Sequence, residues 1–207
     1  MQKIGFACAR SIFFITFAPE MSTYATEGQQ TRAYSAYYGV WIGVVWTMSF
    51  ALTVYGLTHP LAGNLGMILG LASIPLAVWM LRGFRDHVAG ELPLRRAWHM
   101  AWMSMLGAAL ITTFAQYVYF AYIDGGALVR AYTDILAQPE AHEMLQKMMP
   151  GQDVDALTAE ALETFSTTTP AQLATQFLFW NALLATIMAL PVALASKSPF
   201  KKPGSNS

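Results

Sequence analysis

Long uncharged runs dominate the pattern of polar and apolar positions. Between Arg32 and Arg82 no Asp, Glu, Lys or Arg occurs. A membrane-spanning helix needs about 20 apolar residues, so this stretch holds two. They divide at Thr58, His59 and Pro60, because proline lacks a backbone N–H and suits the first turn of a helix. The pattern predicts spans over residues 38–58 and 61–81. A third uncharged run, between Arg96 and Asp124, predicts a span over 97–123. A fourth lies between Glu163 and Lys197. Its polar opening, Ser166 to Pro170, reads as a helix start and places the span over 171–196. Hydrocarbon offers the backbone no hydrogen-bond partners, so such runs must be helices, and the alternation of barrel strands is missing. The expected fold is an all-α, integral membrane four-helix bundle.

Residues 125–170 are too polar to span and predict an extramembrane helical hairpin between spans three and four. Pro139 suits the start of one helix, with Met144, Leu145, Met148 and Met149 as its apolar side, and Pro150 with Gly151 stops it. Asp153 caps a second helix striped by Val154, Leu157, Ala161 and Phe165. These stripes serve either packing on one another and on the membrane surface, or docking of a protein partner, since methionine faces adapt to varied surfaces. Glu140, Glu143 and Glu160 are the candidate partner surface.

Composition agrees with the apolar pattern: 55% of residues are hydrophobic and 12% charged, about half the charge of a soluble domain. Twelve basic and twelve acidic residues cancel, which leaves no excess of positive charge for nucleic acid. The cancellation hides a segregation. Lys3, Arg10, Arg32, Arg82, Arg85, Arg95, Arg96, Lys197, Lys201 and Lys202 fall on one side of the predicted membrane. Arg130 and Lys147 alone fall on the other, among eight carboxylates from Asp124 to Glu163. The positive-inside rule then puts both termini in the cytoplasm. The expected location is a membrane, crossed several times with N-in and C-in topology. Residues 1–33 read as an N-terminal arm, 34–202 as the membrane domain and 203–207 as a tail. Lys3, Arg10 and the short apolar run to Phe17 make a poor secretory signal. Translation from Met21 is the expectation for this segment, with an interfacial arm as the alternative.

Candidate chemistry is sparse. The one cysteine, Cys8, allows no internal disulfide or CxxC site, and no cofactor or metal set is expected. No ionisable residue lies at mid-depth in a span, where one would point to function. Asp124 and His99, the conceivable acid–base groups, lie on opposite sides of the membrane, so an enzyme is not expected. Gly39 with Gly43, Gly66 with Gly70, and Ala185 with Ala189 have the four-residue spacing that lets helices approach closely. They serve packing within the bundle or homo-oligomerisation. Gln116, Gln176 and Asn181 fall in the outer halves of spans three and four. They are either hydrogen-bonding links between helices or a polar pocket opening outward.

The layout also carries a resemblance. Two spans in a tight hairpin lead to Phe84-Arg85-Asp86 and Gly90, then to Leu92 and Ala97. The third span ends Tyr117, Val118, Tyr119, Phe120, Ala121, Tyr122, Ile123, Asp124, followed by the acidic, Met-rich segment and a last span with a lysine tail. Over residues 34–202 this resembles the bacterial domain-of-unknown-function family 4199, although Gly125 stands where that pattern leads one to expect proline. The resemblance implies a four-span inner-membrane protein and carries over no activity, cofactor or site residue. The function expected is that of a non-enzymatic accessory or scaffold subunit in contact with membrane lipid and protein partners. The alternative is a small transporter or channel subunit using the polar pocket of spans three and four.

Overall fold

The computed structural model describes residues 26–151 and 153–198, and every regular element among them is helical. The α-helices are α1 (Glu27–Tyr55), α2 (Pro60–Phe84), α3 (Leu94–Tyr122), α4 (Ala127–Leu136), α5 (Pro139–Met148), α6 (Val154–Thr167) and α7 (Pro170–Ser196). One π-helical turn, Arg85–Ala89, continues α2. The expectations for Met21, for the rest of the arm before residue 26 and for the 203–207 tail fall outside the described residues.

Four helices, α1, α2 with its π turn, α3 and α7, are long and apolar enough to cross a membrane. Val44 and Met48, Leu65 and Ile68, Leu110 and Phe114, and Ile187 and Leu190 stand exposed on them. Hydrocarbon accepts such a belt, whereas an exposed apolar area of this extent is rare on a soluble monomer. Two spans begin earlier than the uncharged runs suggest. Thr26 forms a capping box with Gln29, accepting from its backbone N–H (3.3 Å) while its own N–H donates to Gln29 Oε1 (2.8 Å). That starts α1 eleven residues before position 38. α3 likewise includes Arg95 and Arg96. Charged residues at a helix end reach water along their own side chains, so the helix outlasts its apolar segment. The same capping chemistry at Thr169 and Gln172, with Pro170 in the first turn, opens α7.

The bundle is antiparallel. α3 packs along both α1 and α7, α1 packs along α2, and α2 meets α7 over a shorter stretch. Tyr38, Ile42, Met80, Leu81, Phe84, Met100, Met105 and Val192 are fully buried in its core. Small residues set the spacing. Gly39 faces the Ser104 carbonyl and Gly107 of α3, and Gly43 faces Ala108 and Ile111. Gly66 and Gly70 lie against Ser49 and Thr53 of α1, and Ala185 and Ala189 are fully buried. All six positions are spent on contacts inside this chain, where close backbone approach gains dispersion.

Both ends of the described chain lie at one end of the bundle, the basic end, where Ser198 exchanges hydrogen bonds with Leu92 and Glu27 accepts from Arg96; α4 to α6 lie at the other, acidic end. Three helices stand there where the sequence predicts a hairpin. The extra one, α4, is nucleated by Asp124, whose Oδ2 accepts from Gly126 N–H and Oδ1 from Leu128 N–H, both at 3.0 Å. Gly125 and Gly126 have φ of 51° and 81°, a left-handed turn that proline cannot adopt. Asp153 Oδ1 accepts from Ala156 N–H (3.1 Å) at the start of α6, the cap expected there. Leu128 and Val154 are the buried anchors of this segment. Part of its apolar surface is uncovered: Met144 is 63% and Met148 72% exposed, and Tyr132, Ile135 and Leu157 are exposed too, while Leu145 and Met149 are half-buried. Met144, Met148 and Leu157 are therefore not spent on packing the stripes together.

Candidate functional site

Three places gather polar groups: the arginines of the basic end, a groove at the acidic end and a cavity inside the bundle.

At the basic end the charges that mark topology in the sequence make specific bonds. Arg82 donates from Nε and Nη2 to the Ala195 carbonyl (2.9 and 2.8 Å). Arg85 donates from Nη1 to the Ser196 and Lys197 carbonyls (3.1 Å each), while Asp86 holds its Nε at 2.7 Å. The last carbonyls of a helix have no partner within it and form the negative end of its dipole, so α2 caps α7. Arg96 donates to Thr31 Oγ1 (2.9 Å) and the Glu27 carbonyl (3.1 Å), and its guanidinium lies 5.4 Å from the centre of the Phe84 ring. Phe84, Arg85 and Asp86 are thus a packing and capping motif. No local pattern could reveal this, because the acceptors lie more than a hundred positions away. Arg32, Arg95, Trp98 and His99 line an open groove of about 550 Å³ beside them.

The three polar residues singled out in spans three and four separate. Gln176 lies on a groove of about 620 Å³ between α6 and α7, with Leu157, Glu160, Phe177 and Trp180. Gln116 and Asn181 line a different cavity, of about 360 Å³, which is open to the surface and lined by residues of all four spans. Helical phase gives the reason: five residues turn an α-helix by about 140° beyond a full revolution, so Gln176 and Asn181 point to different sides. That phase was available in the sequence.

Most polar groups of the cavity wall are satisfied. Trp46 Nε1 donates to Ser73 Oγ (2.9 Å), which donates to the Gly70 carbonyl (2.6 Å). Ser49 Oγ donates to the Gly66 carbonyl (2.7 Å) and Thr112 Oγ1 to that of Gly43 (3.3 Å). Gln116 Oε1 and Asn181 Nδ2 are buried and have no partner, and Gln116 is only 4% exposed. Each such group costs about 1–3 kcal/mol if left dry. Towards the basic end lies the fully buried core; towards the acidic end Phe50 of the cavity wall meets Phe120 and Phe177 edge-on at 6.0 and 6.4 Å, and those two stack at 5.6 Å. The cavity reaches the surface at Leu71 of α2 and Leu184 of α7, 62% and 51% exposed. Its opening faces lipid.

Asp124 and His99 stand at opposite ends of α3, about 37 Å apart at 1.5 Å per residue. Among the described residues no three His, Cys, Asp or Glu side chains gather at metal-binding spacing.

Four membrane-length helices around one core, with caps at each end, define a multi-pass all-helical membrane protein. Over residues 37–198 the chain matches the family described as "Protein of unknown function (DUF4199)", and it belongs to that family. The resemblance drawn from Phe84-Arg85-Asp86 and the Tyr119 to Asp124 segment therefore holds. No curated protein and no solved structure matches it.

Proposed function

We propose that the protein is a non-enzymatic accessory subunit of a bacterial inner-membrane complex, presenting its acidic-end helices to a protein partner. The observation that carries this reading is the exposure of Met144 and Met148 on α5 and of Leu157 on α6, on helices that also expose the carboxylates of Glu140, Glu143 and Glu160. A chain of this size covers such residues or uses them. Asp124 supports a structural rather than a catalytic assignment, because both its oxygens accept backbone N–H groups. At 72% exposure Met148→Asp should shift stability by no more than about 0.5 kcal/mol. Purified gently from native membranes, the wild type should bring down one stoichiometric protein. Met148→Asp and the Glu140→Lys/Glu143→Lys/Glu160→Lys variant should lose it at unchanged melting temperature. Retention of that protein by both variants would remove the docking role.

Orientation is part of the same reading. Arg82, Arg85, Arg95, Arg96 and Lys197 share one end of the bundle, and by the positive-inside rule that end is cytoplasmic. Reporter fusions after Gly90 and Lys202 should score cytoplasmic and one after Gly151 external. A cytoplasmic score at Gly151 would invert the arrangement.

A transporter or channel subunit is the second reading, and the polar cavity favours it. The solid packing of Tyr38, Met80, Phe84, Met100 and Met105 below that cavity supports a dead end rather than a passage.

A further inference from the structure

We infer that the intramembrane cavity between the four spans is a binding site for a neutral glycerolipid carrying a free hydroxyl, held by Gln116 and Asn181. This goes beyond the accessory role and stands independently of it.

Three properties of the cavity select the ligand. The first is its pair of unmet groups, the buried carboxamide oxygen of Gln116 and the amide nitrogen of Asn181. One accepts and the other donates. A hydroxyl does both, and it still matches if both carboxamides rotate to exchange their ends. The second is the lack of charge. Neither the cavity wall nor the helix segments that form it carry an ionisable side chain, so a phosphate or ammonium head would enter without a counter-ion, at heavy desolvation cost. The third is the rest of the wall. Phe50, Leu71, Ile74, Leu184 and Met188 are apolar.

Volume separates this ligand from water. About 360 Å³ is the volume of roughly a dozen waters at about 30 Å³ each, and a buried water needs two to four polar partners. Two free groups hold one or two waters and leave most of the space against apolar wall. A hydroxyl seated on the two groups with the start of an acyl chain behind it meets both kinds of surface. The route fits as well: the aromatic cluster and the packed core lie at the two ends, while the exposed Leu71 and Leu184 form a mouth on the lipid-facing side between α2 and α7. Spans two and four are tied by Arg82 and Arg85 at the basic end, which leaves their other halves free to part around a chain.

The test uses the full chain in phosphatidylcholine nanodiscs with a dioctanoylglycerol probe bearing a diazirine near the glycerol, and maps the labelled residues by mass spectrometry. Labelling should concentrate on Leu71, Ile74, Leu184 and Met188, well above the lipid-facing Leu110 and Phe114. Unlabelled 1,2-dioctanoylglycerol should compete and dioctanoyl phosphatidate should not. Gln116→Leu with Asn181→Leu should lower cavity labelling about tenfold, the effect of one lost hydrogen bond in an apolar setting, while labelling of Phe114 stays the same. Should that variant fail to fold, Leu184→Trp closes the mouth from an exposed position and should produce the same loss in an intact bundle. Uniform labelling of all lipid-facing residues, equal competition by phosphatidate, or undiminished labelling in a folded variant would each overturn the proposal.

Discussion

Truncating Phe84 to alanine is expected to lower the melting temperature of the detergent-solubilised protein sharply. The side chain is fully buried, its ring centre lies 5.0 Å from that of Tyr34, and the Arg96 guanidinium sits above it. Removing a buried phenylalanine costs about 3–5 kcal/mol through lost contacts and a residual cavity. Here the loss also frees Arg96 from the ring, and Arg96 ties α3 to the first turn of α1. Phe84→Ala and Arg96→Ala should therefore be non-additive in a double-mutant cycle. Phe84→Leu keeps much of the volume and should cost under about 1.5 kcal/mol. A melting temperature unchanged by Phe84→Ala would mean that the basic end is not packed as described.

Adding a single methyl group at Gly66 should be almost as damaging. The new Cβ would stand 2.7 Å from Thr53 Oγ1 and 2.8 Å from both the Ser49 carbonyl oxygen and the Thr53 backbone nitrogen. Backbone atoms cannot rotate aside, so α1 and α2 must separate, and the bond from Ser49 Oγ to the Gly66 carbonyl lengthens with them. Overpacking of this kind costs about 1–3 kcal/mol. The same change at Gly28 meets nothing within 4 Å, in the exposed first turn of α1. There alanine should stabilise by up to about 1 kcal/mol through helix propensity. Opposite shifts in melting temperature from one chemical change are the expected result; a neutral Gly66→Ala would show that the first two spans do not approach so closely.

The spans were legible because membranes make one demand on sequence, long uncharged segments, and this chain meets it four times. Pro60 and Pro170 also gave the starts of α2 and α7 to within one residue. Helix α4 was overlooked although Leu128, Val129, Tyr132, Ile135 and Leu136 keep helical spacing with Arg130 and Asp134 on the opposite face; Gly125 with Gly126 read as loop, and the Asp124 carboxylate that starts the helix shows in the sequence only as a charge at a helix end. The glycine pairs could be found by spacing, but which helix each faces depends on how the bundle assembles. At the candidate site the sequence supplied Gln116 and Asn181, and what it lacked was Trp46, Ser49 and Ser73 around them. Those residues come from the first two spans, and their convergence on the last two is a property of packing rather than of any one segment.

The arginine caps have a consequence for how the molecule is made. Arg82 and Arg85 leave the ribosome long before residues 195–197, the carbonyls they hold. During synthesis these guanidiniums have no helix end to close, and α2 lacks the ties that later bind it to α7. The basic end is thus sealed by α7, the fourth of these spans to enter the bilayer, and a chain in which that span stalls or enters inverted leaves Arg82 and Nη1 of Arg85 without these carbonyls beside a half-open bundle. Order of synthesis and order of closure run in opposite directions, which makes correct insertion of α7 the event that completes the whole bundle.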